Sequence, residues 1–137
     1  MNDFSAKWSG YAPYFHSLLR IVAGLMFMLA GTTILFSFPS GGPGMTGAPP
    51  LTSQMGIGGI LLAGGGALMV LGLFTKPVAF VLSGMMAVAY FQFHHLKGGM
   101  WPTINGGVPA ALYCFIWLYI SAAGPGPLSI DAMRAKK

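Results

Sequence analysis

The sequence predicts an all-α integral membrane protein, a four-helix bundle with both termini cytoplasmic. Three observations carry that prediction. Among 137 residues there are seven Lys or Arg and two Asp or Glu, whereas a soluble domain uses about a quarter charged residues to cover its surface. The apolar blocks are continuous rather than alternating, which asks for helices and not a barrel. Each block is near the roughly 20 residues that cross about 30 Å of hydrocarbon.

The first span is read over 17–38, "SLLRIVAGLMFMLAGTTILFSF". It is longer than the roughly 7–15-residue core of a signal peptide and ends without an A-x-A site, so cleavage is not expected. "PSGGPGMTGAPP" follows, a Pro/Gly stretch without periodicity, and 39–50 reads as an outward loop. The second span is placed at 51–74. "TKP" makes a tight link, because proline fits the first turn of a helix. The third span is placed at 77–96, and "KGGMWPTING" leads to a short fourth span at 104–123. "GPGP" ends that span and leaves a short basic tail, 125–137.

Orientation follows from the cations. Lys7, Arg20, Lys76, Arg134, Lys136 and Lys137 fall on one side of the four-span arrangement and Lys97 on the other, which puts both termini inside by the positive-inside rule. Trp8, Tyr11, Tyr14 and Trp101 fall near the two interfaces, where amphipathic rings are favoured. The net charge of +5 comes from cations placed singly at block edges, not from a patch, so nucleic acid is not an expected partner.

"GIGGILLAGGGALMVLGLF", 56–74, is the most unusual stretch. It lacks both G-x-G-x-x-G and G-K-[ST], and no strand precedes it, so it is not a phosphate loop. At about 100° per residue, Gly56, Gly59, Ala63, Gly66 and Ala67 share one face. Gly58, Gly65 and Gly72 share the opposite one. Small residues let membrane helices approach closely, so two tracks predict a helix sandwiched within the bundle, or between the bundle and a partner protein.

Few polar residues remain as candidates for chemistry. His16 and Arg20, four apart, share a helix face. They suit either a lipid headgroup or quinone near the inner surface, or a snorkelling arginine. His94 and His95 point in different directions on a helix and cannot readily share a metal. His94 is expected to bond loop backbone near Asn105. Trp101 and Asn105 belong to a turn that either caps the outer end or borders a quinone pocket. Asp131 is expected to pair with Arg20 or Lys76 and lock the inner helix ends. The lone Cys114 sits in an apolar run and permits no internal disulfide.

The motifs "LLRIVAG", "LGLFTKPVAF", "MMAVAYFQFHHLKGGMWPTINGG" and "LYCFIWLYISAAGPGPLSID", spread over about 18–131, resemble the DoxX family of small four-helix bacterial inner-membrane proteins. The resemblance implies the bacterial cytoplasmic membrane and a neighbourhood of redox systems, including quinone-linked thiosulfate oxidation. It also exposes departures. Ile34 stands where a first-span Lys is usual, Leu62 where a second-span Glu is usual, and Val108 where N-G-G-E would carry its Glu. Ionisable groups inside a membrane are costly and usually functional, and here no span carries a carboxylate. That favours a non-catalytic accessory subunit packed on a larger respiratory or photosynthetic complex, its partners being lipids and other membrane subunits. The competing reading is a membrane subunit of a quinone-linked oxidoreductase. No metal-ligated or covalent cofactor is expected; a quinone or lipid contact at His16, Arg20, His94, Trp101 and Asn105 is compatible with either reading.

Overall fold

A computed structural model describes residues 3–38 and 49–136, and all of its regular structure there is helical. The anticipated 39–50 loop lies outside the described residues except for Pro49 and Pro50, as does Lys137. A short helix α1 (Asp3–Ser9) precedes α2 (Ala12–Phe36), which carries Pro13 in its first turn. α3 (Gln54–Leu71) starts where Ser53 Oγ accepts the Gly56 N–H at 3.1 Å. It ends at Gly72, whose φ of 70° fits the left-handed C-terminal position that glycine takes without strain. α4 (Thr75–Ala89) runs on through a π-helical segment, Tyr90–His95, into the single turn α5 (Leu96–Gly98). α6 (Pro102–Asn105), α7 (Val108–Ala123) and α8 (Ile130–Ala135) complete the chain.

Three of these helices are long and apolar enough to cross a membrane: α2, α3 and the continuous run Thr75–Gly98. α7, with 16 residues, spans about 24 Å at 1.5 Å per residue, so its outer end must be completed by the α6 turn. The expected fourth span from 104 is thus broken: Gly106, at φ 73°, ends α6, and α7 restarts with Pro109 in its first turn. Leu18, Leu25, Phe80 and Phe115 are exposed on the outside, where lipid rather than water is their solvent.

Two antiparallel pairs make the bundle. α2 and α3 meet backbone to backbone: a Cβ on Gly24 would stand 2.9 Å from Gly66 O, and one on Gly31 would stand 2.7 Å from the Ala63 Cα. Without a hydrophobic drive in lipid, such close approach supplies the dispersion contacts that hold helices together. α4 and α7 form the second pair, pinned where Ser83 Oγ donates to Cys114 O at 2.7 Å. Between the pairs, Phe27, Met69, Leu82, Trp117 and Ile120 form the core, with the Phe27 and Trp117 rings edge to face at 5.2 Å.

The two glycine tracks do not behave alike. Gly59 and Gly66 pack on α2, against Ile34 and Met28 respectively. Gly56 packs instead on the turn at Pro50 and Leu51, and Ala67 is half-buried. On the opposite track Gly65 meets Leu82 of α4 at 2.8 Å, and Gly72 meets Ser129 and Arg20 rather than α4. Among the described residues Gly58 has nothing within 4 Å, and Gly72 lies beyond the helix as its cap. α3 is therefore packed closely on α2 and splayed from α4 except near Gly65.

Candidate functional site

The inner end is organised by Arg20, which is fully buried. Its guanidinium donates to three carbonyls: Nε to Met69 O at 2.8 Å, Nη2 to Leu128 O at 2.7 Å, and Nη1 to Pro125 O. The planar fork of arginine can reach separate acceptors at once, which a lysine ammonium cannot do from one point. The segment "GPGPLSID" is thereby drawn across the bundle as a strap. His16 Nε2 donates to Gly124 O at 2.7 Å, and Ser17 Oγ accepts the Leu128 N–H at 3.2 Å. The short basic tail expected from 125 is folded onto the bundle, with Ser129 buried, while Pro127, Leu128 and residues 133–136 are exposed.

Asp131 closes the strap. Its carboxylate accepts the N–H groups of Phe74 (3.0 Å) and Thr75 (2.9 Å), while its own N–H bonds Gly72 O at 3.0 Å. Helix α4 has no side-chain cap of its own, so Asp131 supplies one from the far end of the sequence. Burial alone would raise this carboxyl, but hydrogen bonds from Thr75 and Phe74 and the charge of Arg134 outweigh it and hold it below the ordinary carboxylate value. The expectation was a pairing with Arg20 or Lys76; among the described residues the hydrogen bonds of Asp131 go to backbone groups, while its charge still acts on Arg20. Free N–H groups at a helix start and free carbonyls at a helix end are the partners that a membrane leaves unsatisfied.

The outer end is held by a neutral side chain. Asn105 Nδ2 donates to Gly99 O at 2.8 Å and to Tyr90 Oη at 3.2 Å, and its Oδ1 accepts the Gly107 N–H at 2.8 Å. Tyr90 in turn donates to Met100 O. His94 Nδ1 donates to Asn105 O at 3.2 Å. His95 Nδ1 is buried without a partner among the described residues. Trp101 is exposed. The outer set (His94, Asn105) and the inner set (His16, Arg20) lie at opposite ends, so the five residues considered for a quinone or lipid contact do not form one site. Among the described residues, no group of three or more His, Cys, Asp or Glu is placed to hold a metal.

Beside the outer end, α3 and α4 splay to leave a cleft of 340 Å³. Gly58, Leu61 and Leu62 line it from α3, Met85 and Met86 from α4, and Ile34 from α2. Gln54 and Gln92 stand at its rim, and their carboxamides bond to each other. The sequence reading missed both. They are the two glutamines of the chain, and a carboxamide within an apolar run was the available signal.

Comparison with known proteins shows a match to the DoxX family over residues 15–95. The chain belongs to the DoxX family. A Haemophilus influenzae protein described as uncharacterized is 42% identical over 132 residues, which is 93% of this chain and 96% of that relative. No solved structure matches. In this DoxX protein, two of the three departures from the family pattern noted above, Ile34 and Leu62, line the same cleft. Both being apolar is physically consistent: a lone charge left there would face hydrocarbon without a partner.

Proposed function

We propose that this DoxX-family membrane protein is a non-catalytic accessory or structural subunit, packed through its lipid-facing surface against a larger redox complex of the bacterial cytoplasmic membrane. The observation that carries this reading is the use to which its polar residues are put. Arg20, Asp131, His16, His94 and Asn105 are all engaged with backbone groups of the protein itself, as fastenings are and as acid–base groups awaiting a substrate are not. Glycines that meet no neighbour among the described residues, Gly64 and Gly84, leave sites where another helix can approach closely. Lys7, Lys76, Arg134 and Lys136 share the Arg20 end, and by the positive-inside rule this supports a cytoplasmic placement of that end.

Purification from native membranes in a mild detergent, followed by mass spectrometry, tests the proposal. Stoichiometric recovery with a large haem- or pigment-bearing complex is the expected outcome. Recovery of the chain alone, or with a small partner that reduces quinone, overturns it, and the second result would establish the oxidoreductase-subunit reading in its place.

A further inference from the structure

The cleft between α3 and α4 has the attributes of a ligand site and no occupant among the described residues. Its 340 Å³ falls in the roughly 300–1,000 Å³ of small-molecule pockets, which are mostly apolar with a few placed polar groups. Its wall is Ile34, Gly58, Leu61, Leu62, Met85 and Met86, so water would find too few partners to remain there. The unbranched, polarizable methionines adapt to an irregular apolar body. The polar groups sit together at one end: Gln54 Nε2 donates to Gln92 Oε1. A carboxamide has two N–H donors and one carbonyl. The pair therefore keeps three N–H groups and one carbonyl free at the rim. No charged side chain lines the cleft, so a charged head would lose its hydration without gaining a counterion.

We infer that this cleft binds one lipophilic molecule with an uncharged, carbonyl-bearing head. The head accepts from the Gln92 and Gln54 carboxamides, and the apolar body lies over Gly58 between Leu61 and Met86. Two membrane constituents share that chemistry, an isoprenoid quinone and a neutral glyceride. Gly58 is the element that makes the cleft: a Cβ placed there meets nothing within 4 Å, so its missing side chain is open volume rather than a close helix contact. The site stands independently of the accessory-subunit reading, whose test is co-purification.

The full chain, reconstituted in phosphatidylcholine nanodiscs, is titrated separately with a decyl-substituted benzoquinone and with dioleoylglycerol. One probe is expected to saturate at one molecule per chain, and which one does so identifies the source. Gly58→Leu fills the cleft without a backbone clash and improves helix propensity. It should weaken that binding at least about tenfold, as filling a pocket does, without lowering the melting temperature. Gln92→Leu should weaken it too, by removing a donor while keeping the apolar wall. Saturation by neither probe, or unchanged binding in Gly58→Leu, overturns the inference.

Discussion

At the inner end of the bundle a guanidinium and a carboxylate carry the connections, whereas at the outer end neutral carboxamides do, Asn105 within its turn and Gln54 with Gln92 between helices. Arg20 and Asp131 reach across more than a hundred and more than fifty residues of sequence, to Leu128 and to Thr75. Asn105 works within its own neighbourhood, joining Tyr90, Gly99 and Gly107. The inner end thus closes the bundle and Asn105 closes a turn. The difference has an energetic root. An arginine with three of its N–H donors spent on carbonyls converts a cost of burial into a fixed geometry, while at the outer end the splayed helices are joined by the neutral Gln54–Gln92 bond. The cleft lies where the fastening is neutral.

The sharpest way to break this contrast is Arg20→Met. It leaves the carbonyls of Met69, Pro125 and Leu128 without their donor, and at about 1–3 kcal/mol for each buried unsatisfied group the loss should reach roughly 3 kcal/mol or more. Thermal melting in detergent reads it directly. Arg20→Lys should recover only part, because one ammonium cannot serve three separated acceptors. Were Arg20→Met to melt with the wild type, the strap would be an ornament of the inner end and not its closure.

Asn105→Ala should cost less, about 1–2 kcal/mol, since it removes hydrogen bonds in a partly exposed turn. Its effect should also stay local. Amide hydrogen exchange should quicken at Gly107, whose N–H loses its acceptor, while the Phe74 and Thr75 amides keep their protection. Loss of protection at both ends would mean that the outer turn holds the whole bundle, and the two ends would no longer be distinguishable.

What could be read in the sequence follows from what each signal depends on. The helical spans were legible because hydrocarbon thickness and charge scarcity constrain composition directly. The α2-facing glycines were legible because helical period alone puts Gly59 and Gly66 on one side. Gly58 shares its period with Gly65 yet meets nothing, because what a face touches depends on the bulk of the neighbouring helix. The break between α6 and α7 was hidden because Gly106 and Pro109 sit in a stretch that also reads as a loop joining a helix. Asp131 was recognised as a lock at the inner end, but its partners were misjudged. Charge suggests other charges, whereas the uncapped start of α4 appears only once the strap is folded back against it. Gln54 and Gln92 lie 38 residues apart, and no periodicity connects them.

The smallest effect is also the most selective, because the chain has only two acidic side chains, Asp3 and Asp131. The Asp131 carboxyl is held below its ordinary value in the folded protein, so the folded state favours the ionised form. Its stabilisation is then fully present above the unfolded value of about 3.9, and it is lost as pH falls from there through the lowered folded value. As a helix cap it should be worth about 1 kcal/mol. The melting temperature should therefore decline modestly as pH falls below about 4, together with protection of the Phe74 and Thr75 amides. Asp131→Asn keeps an oxygen acceptor but cannot titrate, so it should melt slightly lower at neutral pH and lose this acid limb. The Arg20 bonds to Met69 and Leu128 carbonyls involve no titrating acid, so they should survive the same acid step. If Asp131→Asn shows the wild-type acid decline, the carboxylate is not the cap of α4, and Arg20 alone closes the inner end.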